Sequence, residues 1–491
     1  MLMQSASTPR PLPDSSTLAF PVVSPQATPH VVYPWENLAF EGGGAKGYAY
    51  IGAVKCLEER GIYPHHIRRV AGTSIGSLFA VLTSIGCPTD YMVKKVPTDF
   101  QALAKDGSGG NVRSVARAAR RKGMHPGQKL FDFLGEILLE RTGSADITFA
   151  QVLERYGREV CITVTNVTRM MTEYCHPKTT PDMPIRVAAR ISMSLPVLLQ
   201  PVMLQGSQSM QSAGVEPEYY VDGGLLCNNP THVFDGWWLS LDPRDAFLRR
   251  MQPLSRAHEH YPRSARFSPA NTHTLGFTLF AGDETDITRG WLRDGAAPPP
   301  RPSTKSADEC KQKEQAKKRA ESVQVPLQKL LQVLDDVDAD ASGTISLQEL
   351  ELAISRSGVS ETELLDIFGA TAPEAVFARI NVNGNNQIEF SEVLTFLESV
   401  GVDVTTQLVG FPARPPKNML EFALNMLEAV SRDLTRANHT SDDYDRTIPI
   451  NTDYVGTTTF DLVQADLDFL IDTGFAHTRA FLDDYDKKRS A

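Results

Sequence analysis

Apolar and polar positions along the chain follow strand and helix periods in turn, and their alternation predicts a β-α-β arrangement. The apolar run "NLAF" at 37–40 is typical of a short buried strand, and residues 47–60 carry apolar side chains at helical spacing. The stretch "RRVAG" predicts the next strand. Further on, "CITVTNV" and "EYYVD" have the composition of buried strands. The pattern therefore indicates an α/β fold with a parallel-rich central sheet.

The pattern changes at several points, and these changes predict where domains begin and end. The first 33 residues are rich in proline and serine and poor in large apolar side chains, which is typical of a disordered leader. Proline and then dense mixed charge mark 293–323, and "GFPARPPKN" marks a second linker. The predicted organisation is a leader at 1–33, the first part of an α/β domain at 34–292, a solvated linker at 293–323, a helical module at 324–402, a linker at 403–416, and a strand with one or two helices at 417–488.

Composition narrows the class of protein. The chain has 491 residues, enough for two or three domains with their own cores. Its formal net charge of −10 argues against a general nucleic-acid-binding protein, which requires a basic surface. Six cysteines contain no C-x-x-C pair, which favours reduced intracellular thiols over a disulfide framework. With no apolar signal segment and no run of membrane-spanning length, we expect a soluble, cytoplasmic protein without a transmembrane segment or a nucleic-acid partner.

The stretch "NLAFEGGGAKG" at 37–47 places four glycines between the first strand and the first helix. The spacing Gly42-x-Gly44-x-x-Gly47 formally fits a dinucleotide-binding loop, whose amides hold a pyrophosphate at a helix start. Such a site also needs an acidic residue at the end of the second strand, and that strand ends differently here. A P-loop is excluded because Gly47 is followed by Tyr48 rather than by Lys and Ser or Thr. Bare amides equally suit an oxygen that becomes negative during a reaction.

The second strand runs into Gly72-Thr73-Ser74-Ile75-Gly76, a G-x-S-x-G motif between a strand and an apolar helix. The two glycines, Gly72 and Gly76, allow a serine to occupy a strained turn and leave its hydroxyl open to an incoming carbonyl group. Since one β-α-β unit brings two strand ends together, the glycine loop and Ser74 should face one site. We therefore predict that Ser74 is a nucleophile and that the amides of Gly42, Gly43 and Gly44 form its oxyanion hole.

A nucleophilic serine requires a base, and the sequence contains two kinds of candidate. The stretch "EYYVDGG" delivers Asp222 from an apolar strand into the turn Gly223-Gly224. His176, His232 and His273 are the nearest histidines in order, but none has a comparable context. We therefore predict Asp222 as the general base, with a histidine as the alternative.

These motifs resemble the signature blocks of patatin-like phospholipases. The resemblance implies a three-layer α/β fold and a Ser74–Asp222 dyad that acts on acyl lipid esters without a histidine. The closing "RTIPI" and the helical stretch after it are similar to the end of bacterial members, which implies that about 293–415 interrupts the catalytic domain. The matching blocks are Gly42-Gly43-Gly44-Ala45-Lys46-Gly47, Gly72-Thr73-Ser74-Ile75-Gly76, Asp222-Gly223-Gly224 and the Ser-x-Ser-x-Pro block in "RISMSLPVLLQPV", with Ile191 where a small residue is usual.

The stretch "DADASGTISLQE" has the spacing of an EF-hand calcium loop. Oxygen ligands fall at the required positions, Gly343 occupies the turn position, and apolar residues at helical spacing flank the loop. The resemblance to an EF-hand pair implies a regulatory Ca²⁺ site. Its predicted ligands are Asp338, Asp340, Ser342, Thr344, Ser346 and Glu349.

A second stretch, "NVNGNNQIEFSE", follows the same spacing with two departures. Asparagine replaces aspartate, and Asn386 stands where glycine is usual. This loop is either a weaker calcium site or a pairing partner of the first loop that binds calcium weakly or not at all. Its predicted ligands are Asn381, Asn383, Asn385, Gln387 and Glu392.

The leading functional hypothesis is a lipid acyl hydrolase of the phospholipase A type, modulated by calcium through the EF-hands and needing no cofactor for catalysis. The basic stretch at 113–122, followed by an apolar helix, predicts either peripheral contact with anionic membrane or micellar lipid, or a solvated helix. Two alternatives remain. One is a calcium-binding sensor or targeting protein with an inactive hydrolase fold. The other is a thioesterase or acyltransferase that uses the same dyad.

Overall fold

The structure is a computed structural model of the chain. All of the leader predicted at 1–33 except Tyr33, and all of the basic stretch at 113–122 except Lys122, lie outside the described residues. The described residues are 33–96, 122–205, 216–282, 287–312, 333, 343–399, 416, 419–438, 440–459 and 461–490.

Short strands build one central sheet and two small two-stranded sheets in the described part of the chain. In chain order the strands are β1 (Asn37–Phe40), β2 (Arg69–Gly72), β3 (Gly123–His125), β4 (Glu159–Asn166), β5 (Met171–Cys175), β6 (Val197–Leu199), β7 (Val202–Leu204), β8 (Glu218–Asp222), β9 (Thr274–Phe280), β10 (Thr344–Ile345), β11 (Ile388–Glu389) and β12 (Thr447–Asn451).

The central sheet is mixed and has the order β12-β9-β1-β2-β4-β8-β7, with β5 also paired to β4. The five strands from β12 to β4 run parallel. β5 and β8 are antiparallel to β4, and β7 is antiparallel to β8. The predicted α/β fold is therefore confirmed, but β8, which carries Asp222, does not belong to the parallel part.

Helices and short 3₁₀ turns connect the strands, and the 3₁₀ turns at Gly44–Tyr48, Gly223–Leu225 and Thr231–Phe234 lie next to the sheet. In chain order the α-helices are α1 (Ala49–Glu59), α2 (Ile75–Ser84), α3 (Thr89–Lys95), α4 (Gln128–Thr142), α5 (Phe149–Tyr156), α6 (Ile185–Ser192), α7 (Phe247–Arg250), α8 (Ala257–His260), α9 (Arg263–Arg266), α10 (Leu347–Ser357), α11 (Glu361–Phe368), α12 (Pro373–Ile380), α13 (Phe390–Ser399), α14 (Met419–Asn438) and α15 (Gln464–Ser490).

The two faces of the sheet are covered by different elements, because successive residues of a strand point to opposite faces. Phe40 of β1 contacts Tyr50 of α1 and Phe79 of α2, with ring centroids 5.1 and 6.2 Å apart. Ala39, its neighbour in β1, packs instead with Phe267 in a cluster formed by the segment after β8. β1 is buried along its whole length, as expected for a central strand covered on both sides.

α15 is one continuous helix that packs on α1 at a close crossing. A Cβ on Gly52 would lie 1.7 Å from the carbonyl oxygen of Ile471, and one on Gly474 would lie 1.8 Å from that of Ala49. Glycine at both positions lets the two helix backbones approach this closely. The sequence predicted one or two helices in the stretch after the strand "RTIPI", and the structure has one there.

The described part of the segment predicted to be a solvated linker, 293–312, is half exposed, but several of its side chains pack against the α/β fold. Arg293 and Thr304 are each only 8% exposed. The Thr304 hydroxyl donates to Asp466 at 2.6 Å, and Arg301 forms an ion pair with Asp453 at 2.5 Å. Its charged and polar composition suggested solvation, but several of these polar groups have partners on the α/β fold.

The helices α10 to α13 surround a hydrophobic cluster of their own. Leu350, Leu364, Phe368 and Phe377 are among its buried members. Strands β10 and β11 pair antiparallel in this region. The two strands that flank the region in sequence, β9 and β12, are parallel neighbours in the central sheet.

Candidate active site

Ser74 lies in a sharp turn between β2 and α2, with φ of 50° and ψ of −126°. Residues other than glycine rarely adopt a positive φ, so the backbone at Ser74 is strained. The turn also needs glycine on both sides. A Cβ on Gly72 would lie 2.1 Å from the carbonyl oxygen of Gly76, and one on Gly76 would lie 2.3 Å from that of Phe40.

The structure brings Ser74 and Asp222 together. The Ser74 hydroxyl donates a hydrogen bond to Oδ2 of Asp222 at 2.7 Å. The Ser74 amide donates to Oγ of Ser192 at 2.8 Å, and Ser192 in turn donates to the carbonyl oxygen of Thr163 at 2.8 Å. Ser192 thus ties the serine turn to β4. Sequence reasoning assigned it no role, although it is the first serine of the Ser-x-Ser-x-Pro block.

Asp222 ends β8 and is buried, with 3% of its surface exposed. Its Oδ1 accepts a hydrogen bond from the amide of Gly224 at 2.8 Å. Burial raises the pKa of this carboxyl group to about 7, and the hydrogen bonds from Gly224 and Ser74 oppose part of that rise. The turn requires glycine at position 223, because a Cβ there would lie 2.2 Å from the carbonyl oxygen of Thr163.

The glycine loop at 42–47 lies beside Ser74, and the amides of its three consecutive glycines differ in their hydrogen bonding. The amide of Gly42 donates to the carbonyl oxygen of Asn228 at 3.1 Å. Among the described residues, the amides of Gly43 and Gly44 have no hydrogen-bond acceptor. Gly44 has φ of 55°, and a Cβ there would lie 2.2 Å from the carbonyl oxygen of Thr457.

Two polar side chains, the buried Lys46 and the half-buried Asn228, hold this loop. Nζ of Lys46 donates to the carbonyl oxygen of Leu279 at 3.0 Å. Nδ2 of Asn228 donates to Oε1 of Glu41 at 3.0 Å and to the carbonyl oxygen of Gly42 at 3.1 Å. Asn228 therefore joins the turn after Asp222 to the glycine loop. Sequence reasoning did not single it out, and its nearness to Asp222 in "DGGLLCNNP" was the available signal.

The three candidate histidines have other surroundings. Nε2 of His176 is 3.2 Å from Glu159, and Nε2 of His232 is 3.2 Å from the hydroxyl of Tyr174. Burial lowers the pKa of both rings. His273 is exposed, and no histidine is among the described residues that line the cleft at Ser74.

A mostly apolar cleft opens at the Ser74–Asp222 pair. Such a cleft suits an acyl chain, while the serine, the carboxyl group and the glycine amides supply the polar chemistry at one point. One wall comes from α14 through Leu427, Glu428, Ser431 and Arg432. The apolar lining residues are Ile75, Leu130, Met193, Leu195, Pro196, Leu198, Leu199, Leu225, Leu279 and Leu427.

Of the predicted calcium ligands, Asp338, Asp340 and Ser342 lie outside the described residues. In the first loop, Glu349 accepts hydrogen bonds from the amide and the hydroxyl of Ser346 at 2.8 and 2.7 Å. The described residues contain no group of three His, Cys, Asp or Glu side chains that could hold a metal ion.

The ligands predicted in the second loop are all described. The carboxylate of Glu392 accepts hydrogen bonds from the amides of Asn383 and Glu389, both at 3.0 Å. The hydroxyl of Thr344, in the first loop, donates to Gln387 at 2.5 Å. Loop amides also donate to the side-chain oxygens of Asn381, Asn383 and Asn385.

The family model of patatin-like phospholipases matches residues 38–235, a range that contains the glycine loop, Ser74 and Asp222. Residues 38–235 are a patatin-like phospholipase domain. The match ends before β9 and β12, so the patatin-like domain shares its central sheet with strands outside the matched range. No helix in the described part of the chain is both long and apolar enough to cross a membrane.

Curated relatives of the patatin-like domain come from viruses and a bacterium. The chain is 30% identical over 201 residues to the uncharacterized protein R571 of Acanthamoeba polyphaga mimivirus, covering 41% of this chain and 61% of the relative. It is 24% identical over 202 residues to the probable lipid hydrolase 463L of Invertebrate iridescent virus 6, covering 40% and 63%. It is 26% identical over 210 residues to the uncharacterized protein YqhO of Bacillus subtilis, covering 40% and 65%. The chain thus spans less than two thirds of each of these relatives.

Two solved structures are similar over most of this chain at low identity. VipD from Legionella pneumophila is 14% identical with a TM-score of 0.40, covering 92% of this chain and 67% of that one. A chain of the complex of SpcU with ExoU from the type III secretion system of Pseudomonas aeruginosa is 16% identical with a TM-score of 0.28, covering 83% and 86%.

Proposed function

We propose that this protein is a serine hydrolase that cleaves acyl esters of glycerolipids through Ser74 and Asp222. The observation that carries the proposal is the 2.7 Å hydrogen bond between the two side chains in an apolar cleft. With a pKa of about 7, Asp222 is ionised in a large fraction of molecules at neutral pH and can accept the serine proton. One relative is named as a probable lipid hydrolase, which supports the same class of reaction.

In the first half of the proposed reaction, Oγ of Ser74 attacks the ester carbonyl carbon while its proton moves to Oδ2 of Asp222. The resulting tetrahedral intermediate carries its negative charge on the former carbonyl oxygen. When it collapses, the carbonyl double bond re-forms, the bond between the acyl carbon and the oxygen of the lipid alcohol breaks, and this leaving alcohol oxygen takes the proton from Asp222. An acyl ester of Ser74 remains.

In the second half, Asp222 takes a proton from a water molecule, whose oxygen attacks the acyl-serine carbonyl. Collapse of this second intermediate releases the fatty acid, and Asp222 returns the proton to Ser74. One side chain therefore serves alternately as base and acid, and no histidine or metal ion is required for either step.

We assign the oxyanion hole to the amides of Gly43 and Gly44, not to all three glycines. The amide of Gly42 already donates a hydrogen bond to the carbonyl oxygen of Asn228, whereas the amides of Gly43 and Gly44 have no acceptor among the described residues. α2 begins directly after Ser74, and the partial positive charge at its N-terminus would also favour a negative oxygen there.

Gly44→Ala should lower kcat about a hundredfold, because losing one oxyanion donor costs about 3 kcal/mol of transition-state stabilisation. The added Cβ would collide with the carbonyl oxygen of Thr457 and would strain a backbone with φ of 55°, so the loop must shift. Gly61→Ala is the matched control, because Gly61 has φ of 71° but no heavy atom within 4 Å of its Cβ position. Ester hydrolysis should survive in the control. A wild-type kcat in Gly44→Ala would mean that these amides do not hold the oxyanion.

The substrate class is tested with a panel of acyl compounds and mass spectrometry of the products. Phosphatidylcholine, diacylglycerol and an acyl thioester should be compared, and release of free fatty acid with a lysolipid is expected from the phospholipid. Turnover of the thioester alone would indicate a thioesterase, and acyl transfer to an added alcohol would indicate an acyltransferase. Calcium binding without turnover of any compound would indicate a sensor.

We further propose that the region from 338 to 392 is an EF-hand pair through which calcium modulates activity. The turn positions of the two loops, Gly343 and Asn386, both have left-handed backbones, with φ of 69° and 61°. The eighth positions, Ile345 and Ile388, are paired in the β10–β11 ribbon. In the second loop, Glu392 brings charge to the twelfth position. The donor set therefore fits a calcium loop, more strongly in the first loop because of its aspartates.

Glu349→Gln should abolish the calcium response of hydrolysis while leaving the calcium-free rate unchanged, because it removes the charged twelfth ligand of the better loop. Coupling between two sites is typically worth about 1–3 kcal/mol, so calcium should change the wild-type rate between several-fold and about a hundredfold. Rates should be measured across buffered calcium concentrations, with calorimetry for binding. Glu392→Gln is the comparison variant and should have the smaller effect. Loss of all turnover in chelator would make calcium essential, and no response in any variant would leave the module structural.

A further inference from the structure

Helix α14 lies at the protein surface and presents two chemically different faces. One face lines the catalytic cleft through Leu427, Glu428, Ser431 and Arg432. Of the side chains of α14 whose burial the structure describes, Thr435 alone is buried. Most of its other described side chains are half-buried, and several on one side of the helix are exposed.

The outward face of α14 carries a continuous apolar stripe. Met419, Phe422, Met426 and Val430 are 79%, 49%, 56% and 46% exposed. Their spacing of three or four residues places them in one line along the helix. Before Asp433, none of the exposed positions described in α14 carries a charged side chain. The stripe therefore runs uninterrupted along the first part of the helix.

An uninterrupted apolar stripe on a protein surface marks a contact with an apolar partner. The cleft behind α14 indicates that this partner is a lipid surface. The cleft lining is apolar and suits an acyl chain, and such a chain enters the cleft by leaving a lipid aggregate. The cleft wall and the stripe belong to the same helix, so a surface that receives the stripe is brought next to the cleft. An amphipathic helix lying flat in a membrane buries its apolar face in this way.

We propose that the exposed stripe of α14, defined by Met419, Phe422, Met426 and Val430, is the face by which the protein docks on a lipid surface. The helix lies in the plane of the surface with these side chains in the acyl layer. The substrate ester then reaches Ser74 past Leu427 without crossing water. The identity of the partner as lipid rests on the acyl hydrolysis proposed above.

The test compares binding to vesicles with hydrolysis of a soluble ester. The double variant Phe422→Asp/Met426→Asp places two charges on the stripe, and neither residue lines the cleft. Val93→Asp is the matched control, because Val93 is an apolar residue of α3 that is 48% exposed and away from the cleft lining. Cosedimentation with phosphatidylcholine vesicles should fall about tenfold to a hundredfold in the double variant and stay unchanged in the control. Hydrolysis of vesicle lipid should fall with it, while hydrolysis of a monomeric short-chain ester stays within about twofold.

The alternatives give different results. Vesicle binding equal to that of the wild type would overturn the proposal. A parallel loss of soluble-ester hydrolysis would also overturn it, because α14 would then only support the cleft. A wild-type dimer that the double variant converts to a monomer in sedimentation velocity would assign the stripe to a second copy of the chain. If the wild type hydrolyses no ester but binds vesicles through the stripe, docking stands and the proposed hydrolysis fails.

Discussion

Replacement of Ser74 by alanine is expected to reduce lipid hydrolysis by about four to six orders of magnitude. The substitution removes the hydroxyl that donates to Asp222 and with it the only atom proposed to bond to the substrate carbonyl. Alanine adds no atom to the turn, and the amide at this position can still donate to Ser192. We therefore expect the circular dichroism spectrum and melting temperature to stay close to those of the wild type while initial rates and labelling by a fluorophosphonate probe disappear.

Ser84→Ala is the matched control for this variant. Ser84 is buried at the end of α2, the helix that begins directly after Ser74, and within the described part of the chain its hydroxyl donates only to the carbonyl oxygen of Val81, at 2.7 Å. It should keep wild-type activity and probe labelling. Activity within a few-fold of wild type in Ser74→Ala would remove the basis for assigning the G-x-S-x-G turn to catalysis.

Asp222→Asn should be almost as damaging, with kcat lowered by about four orders of magnitude. The amide can accept a hydrogen bond from Ser74 but cannot take its proton. In the wild type the base must be ionised, and its pKa is about 7. The rate should therefore rise with pH through about 7 and level off above it, and this rise should be missing from the residual activity of Asp222→Asn.

The same pKa predicts the stability of this variant. The folded state holds the Asp222 proton up to about pH 7, whereas the unfolded chain releases it near 3.8. Between these values the folded state binds more protons, so raising the pH lowers the free energy of unfolding. Asparagine carries no charge, and Asp222→Asn should be at least as stable as the wild type at pH 8.

A structural carboxylate gives the opposite result and serves as the control. Asp466 is buried and accepts hydrogen bonds from Thr304 and Tyr454. Asp466→Asn should lower the free energy of unfolding and preserve kcat. An active Asp222→Asn together with an inactive histidine variant would falsify the proposed dyad.

Sequence reasoning succeeded where the information is local. The glycines at 42–44, 72 and 76 surround short strand–helix turns, and the backbone geometry of such turns dictates the residue type at each position. The structure accordingly places Ser74 in a strained turn. The nearness of Ser74 and Asp222 is not local information, and it was expected from the order of the signature blocks. The catalytic roles of these residues, the oxyanion hole and the calcium loops stay predictions until the variants above are measured.

Other features that depend on distant residues could not be predicted. The direction of β8 depends on its pairing with β4 and β7, to which a five-residue apolar run gives no clue. The amide of Gly42 donates to Asn228, and the amide of Ser74 donates to Ser192. Both hydrogen bonds join segments that are far apart in sequence. The packing of 293–312 depends on partners such as Asp453 and Asp466, which follow much later in the chain.

The contact between the glycine loop and Thr457 has a consequence for the order of events during synthesis. The amide of Ala45 donates to the carbonyl oxygen of Thr457 at 3.1 Å, and β12 adds the edge of the sheet beside β9. A nascent chain can form the early β-α-β unit as it leaves the ribosome, but it lacks this support until translation has passed Thr457. Pairing over such a sequence distance is also slow, because the intervening chain must first be ordered. Catalytic competence would therefore arise only after translation has passed Thr457, and a chain stalled earlier would have its nucleophile but not the finished loop beside it.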